Sequence, residues 1–582
     1  MMYRLRAVWL LLAAVMLLAA VSRLADLDRR PLDPAEAETA LSAARAASVG
    51  SPFFEPSGVG PGPAYTLPTG VLFQWLGTSV TGARLVPALA GILLVLLPGL
   101  LAGRLGWPLA LAWSALLAIS TTALVASRAA DAAILAAAGV GLWLIAALRQ
   151  DRGGAGWLAG IGLGLAVAAG HPLWMGVFGL GLTALLVWLS GLRRSDHQPF
   201  DLDLLWTLRH RRVWLIGAGL LAAIILLGGL YLEGLAAVIG GPGAWLQGWL
   251  RPDGLALLPA LLLLPAYEPL LLVGGLLGWL AARGSEARVV RLAGWWALGA
   301  LMAFLLYPAR QPLDLIWLAL PLALLTGYLI VGWLEALLGA ASPLTILLLG
   351  GFLLTVSTFA YFQLEAATAG FGLATMDRQI LLGYGLAALG FSVVLVFLFG
   401  LGWSWRETLL AVELAAIVSL LGLNVSAAAG LELEQANVEL WRPRRSTANL
   451  RLLESSITAT ANAYQGASIG LPVEVRGDAS PEIAWALRHQ RLAASSAEAA
   501  RPPVVLAPES SQPPALPADY LGQGFATVEG WAVAGQLPDD LVTWWLDRRG
   551  ASLQVRWIMY VRMDVATLGE APAVGEPEGG EG

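Results

Sequence analysis

The chain has 582 residues, of which 58% are hydrophobic and 13% charged. A soluble domain carries about 25% charged residues, so a water-soluble globular protein is excluded and a membrane protein is indicated. The absence of cysteine excludes disulfides, thiolate metal sites and cysteine nucleophiles, and because all 35 basic residues are Arg, mechanisms that need a lysine amine are excluded too.

Apolar runs follow one another near 7–22, 85–103, 107–125, 131–148, 156–170, 173–190, 213–232, 255–282, 292–307, 315–334, 344–362, 380–402 and 408–426. A helical span of the bilayer core needs roughly 20 apolar residues, and backbone groups without water partners restrict spans to helices. The pattern predicts an α-helical polytopic membrane protein with about thirteen transmembrane helices over residues 1–429. The first run has a basic start but no clear small-residue cleavage site, so it reads as an uncleaved helix. The eighth is interrupted by Pro265, Ala266, Tyr267, Glu268 and Pro269, where the missing backbone donor predicts a broken helix or a re-entrant turn.

Arginine tracts set the topology. With Arg4 and Arg6 inside, the even-numbered spans return Arg149 and Arg152 to the same side. They do the same for Arg193, Arg194, Arg209, Arg211 and Arg212, for Arg283, Arg288 and Arg291, and for Arg406. That is the positive-inside pattern, and a count wrong by one would break it. The N-terminus is therefore expected inside the cytoplasmic membrane. The long first loop, 23–84, and the chain after the last span are expected outside.

Residues 430–582 carry 12 Arg against 19 acidic residues. Strand-like runs at 504–507 and 555–561 among turn-rich linkers predict a small extracytoplasmic α/β domain over 430–570, ending in a disordered tail at 571–582. Its acidity argues against nucleic acid as a partner.

The first loop is the candidate site. Asp33, Pro34, Ala35 and Glu36 open an Ala-rich helix, placing two carboxylates one turn apart at the membrane surface. There a carboxylate could serve as general base for a hydroxyl, or hold a divalent cation (Mg or Mn) beside a phosphate. The same residues also make an N-cap, a first-turn proline and a capping-box glutamate. A Gly/Pro run then leads to Gly62, Pro63 and Tyr65, followed by Leu76, Gly77, Thr78, Ser79 and Arg84, Leu85. Ser127, Arg128, Ala129, Ala130 and Asp131 lie at the outer end of the third span, and Tyr307, Pro308, Ala309 and Arg310 lie at a later outer loop.

This order of motifs resembles the GT-C membrane glycosyltransferases. The likeness is to glycosyltransferase family 39 (protein O-mannosyltransferase-like) and the prokaryotic flippase-activity-associated group. Ala35, Glu36 and Ala37 stand at that family's Asp-Glu-Ala place, and Pro61 replaces the histidine of its His-Gly-Pro motif. Asp131 keeps the aspartate of a Ser-Arg-x-x-Arg-x-Asp motif whose second arginine is lost. The resemblance implies a GT-C-like fold and transfer of a sugar from a polyprenyl-phosphate donor, with inversion, to a protein, lipid or glycan acceptor. It implies Glu36 as base with Asp33 in reserve, and Arg128, Arg310 and His171 at the donor phosphate. Tyr65 and Asp131 would position the reactants.

Each residue has a plainer role beside this one. Arg128 with Asp131 could be a salt bridge at a helix end, His171 an interfacial residue and Arg310 a topology anchor. Glu268 could move a proton or snorkel to the interface. Most of the 25 Trp are expected in interfacial belts, with Trp245 and Trp249 able to stack on a sugar. His197 and the Arg around it suit anionic membrane lipids. The alternative function is a catalytically inactive GT-C-fold protein in binding, assembly or export of lipid-linked sugars. A transporter is disfavoured by the lack of an inverted repeat.

Overall fold

The computed structural model describes residues 2–55, 60–149, 152–192, 210–227, 232–283, 288–368, 375–433, 439–493, 501–510, 514–531, 541–548 and 552–567. Arg193, Arg194, His197 and Arg209 of the expected inner arginine tract, and the expected tail 571–582, lie outside the described residues.

Among the described residues the thirteen apolar runs fall on helices. These begin with α1 (Met2–Leu24), the loop helices α2 (Pro34–Ala46) and α3 (Pro63–Leu76), and α4 (Val80–Leu96), which continues through a tight turn to Leu105. There follow α5 (Trp107–Ile119), α6 (Thr121–Arg128), α7 (Ala133–Leu148), α8 (Arg152–Ala168), α9 (Pro172–Leu192), α10 (Arg211–Leu227) and α11 (Leu232–Gln247). Next come α12 (Leu257–Tyr267), α13 (Pro269–Ala282), α14 (Arg288–Leu306), α15 (Ile316–Leu338), α16 (Pro343–Thr368), α17 (Thr375–Gly402) and α18 (Trp405–Leu433). Among the described residues, eight helices are long and apolar enough to cross a membrane, or ten if each bent pair counts as one span. The count of thirteen and the inside N-terminus are read from the sequence.

Two spans are broken. At Glu268 and Pro269, α12 and α13 meet at 87°, as the missing proline donor predicts. The second break, 57° between α5 and α6, lies inside a run expected to be straight. Ser120 makes it: its hydroxyl accepts the Ala123 amide at 3.2 Å and starts a new helix. Helix α3 begins where the Gly/Pro run ends: Gly60, Pro61 and Gly62 are non-helical, and Pro63 sits where a helix needs no backbone donor.

Glycine lets α7 and α8 approach closely. A Cβ on Gly139 would stand 2.6 Å from the Ala166 amide and 2.8 Å from the Gly162 carbonyl, the small-residue contact that packs helices in lipid.

After α18 the chain forms one six-stranded sheet in the order β1-β5-β6-β4-β2-β3. Its strands are β1 (Arg444–Ser446), β2 (Pro472–Val475), β3 (Arg491–Leu492), β4 (Val504–Pro508), β5 (Tyr520–Trp531) and β6 (Ser552–Arg562). Strand β2 pairs parallel with β3 and β4, and the other pairs are antiparallel. Helix α19 (Asn449–Gln465) buries Leu450, Leu453, Ile457 and Ala461, one helical face against this sheet domain.

The sheet domain is seated on the first loop. The Ser446 amide donates to Asp33 Oδ1 at 3.0 Å, Ser51 Oγ donates to the Ala484 carbonyl at 3.0 Å, and Trp485 packs on Phe73 at 6.0 Å. The bundle end carrying loop and sheet is called here the loop face.

Replacing Gly139 by Ala forces α7 and α8 apart. Thermal unfolding in detergent micelles is expected to show a loss of about 1–3 kcal/mol; unchanged stability would show that the helices separate freely.

Candidate active site

The site grows from the start of α2. Glu36 reaches back to accept the Asp33 amide at 3.0 Å, so the expected capping box forms. The rest of its carboxylate is also occupied. Arg30 donates to Oε2 at 2.7 Å and Oε1 at 3.3 Å, and Arg84 to Oε2 at 2.7 Å and Oε1 at 3.1 Å. The Ala130 amide donates to Oε1 at 3.0 Å. Burial alone would raise this carboxyl, but the two guanidiniums outweigh it and hold it well below the ordinary carboxylate range. A base needs an open lone pair and a pKa near the working pH. Glu36 has neither in this arrangement and acts as a clamp.

The clamp extends outward. Asp33 Oδ2 lies 3.3 Å from Arg30 and 3.6 Å from Arg442. Burial raises the Asp33 carboxyl despite Arg30, because Glu36 beside it is already charged. Glu432, at the end of α18, is held by Arg442 at 2.6 Å, Arg128 at 2.9 Å and Arg30 at 3.7 Å. Four arginines and three carboxylates thus share one buried network. Asp33, Glu36 and Arg128, remote in sequence, do come together.

Arg128 and Arg310 serve helix ends. Arg128 donates to the carbonyls of Ser22 (2.9 Å), Ala25 (2.8 Å) and Asp26 (3.1 Å) at the end of α1. Arg310 donates to those of Phe304 (2.9 Å) and Leu305 (2.9 Å) at the end of α14 and to that of Leu255 (2.8 Å) before α12. These groups satisfy carbonyls that a helix terminus leaves without partners. Tyr65 is fully buried, and its hydroxyl donates to the Ala83 carbonyl at 3.0 Å. Burial and the nearby Glu36 and Asp131 charges push its phenol far up.

Asp131 stands apart in character. It is half-buried between α6 and α7, its Oδ1 accepts the Ala133 amide at 2.6 Å, and it has no ion-pair partner among the described residues. Burial raises its carboxyl, the Ala133 and Ala132 amides oppose, and Glu36 adds to the rise.

His171 and Arg310 belong to a second group. The Leu255 amide donates to the Arg310 carbonyl at 2.8 Å, joining the loops after α11 and α14. Burial lowers His171, with Asp253 opposing. Tyr307 stacks on Trp245 at 5.2 Å and donates to the Trp245 carbonyl at 3.0 Å, which covers the Trp245 ring expected to meet a sugar. Burial, with Asp314 and Asp253, pushes the Tyr307 phenol up to about 12. Asp314 also lies within electrostatic reach of Asp131, so this group faces the first across the loop face.

Glu268 sits at the α12–α13 break. Its carboxylate accepts Ser120 Oγ at 2.5 Å, the Thr122 amide at 2.6 Å and Asn424 Nδ2 at 2.7 Å. It is buried and ties the two broken spans together rather than reaching the interface.

Sequence reading missed Arg30, Glu432, Arg442, Asp253 and Asp314. An arginine in the loop expected to lie outside was a signal for Arg30. Arg84, seen as a motif match, stands at the head of an apolar run, where an ionisable group is expected to be functional or paired. Nothing local marked Glu432. Among the described residues no three His, Asp or Glu side chains could hold a metal ion together. The cation expected at Asp33 and Glu36 does not fit there, because N–H donors fill the Glu36 oxygens and crowd those of Asp33.

Deeper in the bundle lies an apolar cavity of about 260 Å³, walled by Leu94, Trp113, Leu117, Trp143, Trp296 and Leu320 among others.

No protein-family model matches the chain, and no curated protein matches it either. It is similar to solved structures of ArnT from Cupriavidus metallidurans. The form bound to undecaprenyl phosphate has 16% identity and a TM-score of 0.49, over 86% of this chain and 93% of that one. The apo form has 18% identity and a TM-score of 0.49, over 84% and 85%. An Archaeoglobus fulgidus oligosaccharyltransferase tethered to an acceptor peptide has 12% identity and a TM-score of 0.47, over 83% of this chain and 63% of that one. At these identities the likeness concerns chain course alone.

Glu36→Gln leaves two buried guanidiniums without a charge partner and is expected to cost about 3–5 kcal/mol at pH 7. The Glu36 carboxyl is lowered on folding, so its stabilisation is present above the ordinary glutamate pKa of about 4.3 and is lost as the pH falls through its depressed value. Thermal unfolding at pH 7 and pH 3 checks this: the gap between wild type and variant should narrow in acid.

Proposed function

We propose that the protein is a membrane glycosyltransferase that moves a sugar from a polyprenyl-phosphate donor to an acceptor at the outer face of the cytoplasmic membrane. The observation that carries this reading is the position of Asp131. It is a half-buried carboxylate with a raised pKa, beside a guanidinium-rich network at the loop face. The apolar cavity is reached at Gly141 of α7, ten residues further on and about 15 Å down the helix. A lipid-linked sugar needs that pairing of surfaces, with polar chemistry at the interface and an apolar refuge for its tail below.

In this reading an acceptor hydroxyl attacks the anomeric carbon as the bond to the donor phosphate breaks, inverting the configuration. Asp131 takes the hydroxyl proton, and the phosphate leaves on its lipid. The guanidiniums of the network lie at the face where the phosphate leaves, and as fixed groups they meet its charge without reorganisation. The base is thereby assigned to Asp131, while Glu36 and Asp33 hold the loop.

The second reading is a non-catalytic protein that binds or assembles lipid-linked sugars. The engagement of Glu36, Arg128 and Arg310 by protein groups favours it.

The test is turnover of a polyprenyl-phosphate hexose by the full chain in lipid nanodiscs, with protein, lipid and glycan acceptors. Asp131→Asn should lower kcat by about 10²–10⁴-fold without loss of thermal stability. The wild-type rate should fall in acid with a midpoint above the ordinary aspartate value of about 3.9. No turnover by the wild type leaves the non-catalytic reading, and an unaffected Asp131→Asn rate removes Asp131 as base.

A further inference from the structure

The sheet domain has an open pocket of its own, about 580 Å³ in volume, within the range of about 300–1,000 Å³ typical of small-molecule sites. Tyr464, Arg501, Asp519, Arg562 and Asp564 line it, with Ala518 and Met563. It forms where the end of α19, the approach to β4, the start of β5 and the end of β6 meet. That is the far end of the sheet from the membrane bundle. The opposite end of β5 pairs Gly530 with Arg444 of β1, two residues from the Arg442 that reaches Asp33. A twelve-residue strand separates the two ends by about 35 Å.

The pocket's charges are arranged for a ligand of no net charge. Arg562 is fixed by a two-pronged bond to Asp564 at 2.6 and 3.0 Å, and it donates to the Arg501 carbonyl. The Arg501 guanidinium and the Asp519 carboxylate have no side-chain partner among the described residues. An anionic ligand would meet Asp519 and Asp564, and a cationic one would meet Arg501 and Arg562. A neutral ligand rich in hydroxyls meets neither obstacle. Each hydroxyl donates to a carboxylate and accepts from a guanidinium, and neighbouring hydroxyl pairs suit the two-pronged geometry of both groups. Tyr464 supplies an aromatic ring in the wall, able to cover an apolar sugar face.

We infer that this pocket is a saccharide-binding site for neutral hexose units, remote from the loop-face site. It does not require the protein to transfer sugars: a binding protein would use it equally. If the protein does transfer sugars, the pocket would hold a distant part of an extended glycan and raise its effective concentration at the membrane.

The experiment is saturation-transfer NMR and calorimetry on the full chain in lipid nanodiscs. The probes are malto-, cello- and manno-hexaose, with hexagalacturonate as the charged control. At least one neutral hexaose is expected to bind. Arg501→Ala and Asp519→Asn, both at surface positions, should each weaken it at least tenfold while thermal unfolding is unchanged. Asp131→Asn should leave this binding untouched, which separates the pocket from the loop-face site. Binding of none of the neutral probes, equal binding by the pocket variants, or preference for the galacturonate would overturn the inference.

Discussion

The loop face depends on one buried carboxylate. Glu36 collects N–H donors from Arg30 and Arg84, from its own helix cap, and from Ala130 between two membrane helices. One side chain thereby joins the first loop, the entry of α4 and the α6–α7 turn. Taking an ion out of water costs several kcal/mol, and only close countercharges and filled lone pairs offset that. With both conditions met, the group fixes geometry. A carboxylate held well below its ordinary pKa, with its lone pairs already filled, is a poor proton acceptor.

The arginine-only composition has a structural counterpart. Arg23 donates to the carbonyls of Leu117 and Ala118 at the end of α5, and Arg442 to that of Leu431 near the end of α18. Arg128 and Arg310 do the same for α1 and α14. A guanidinium presents five N–H groups in a planar fork and stays charged at any physiological pH, whereas a lysine ammonium is a single point. Several helix ends at one face, where carbonyls must be satisfied away from bulk water, are met by the group with the right shape. An arginine near a membrane surface therefore does not by itself indicate a phosphate site, as Arg128 and Arg310 show.

Much of the fold was legible because hydropathy follows directly from the bilayer. The apolar runs, the break at Pro269 and the strand content after α18 all correspond to observed elements. One local feature was hidden by stronger neighbours: the Ser120 cap inside a continuous apolar run. The site was legible in part. Asp33, Glu36 and Arg128 meet because the loop folds back on its spans, and Tyr65 and Asp131 lie beside them. Their partners Glu432 and Arg442 come from the other end of the chain, and no local pattern points to a contact across such a separation.

The amide of Ser446 that grips Asp33 is 413 positions away from it. Synthesis runs from the N-terminus, so the loop emerges hundreds of residues before the groups that complete it. Until α18 and β1 have been made, Asp33 has neither the Ser446 amide nor Arg442, and Arg30 and Arg128 lack Glu432. Contacts so distant along the chain close last. The loop face is therefore completed only once α18 and the sheet domain have joined the first loop.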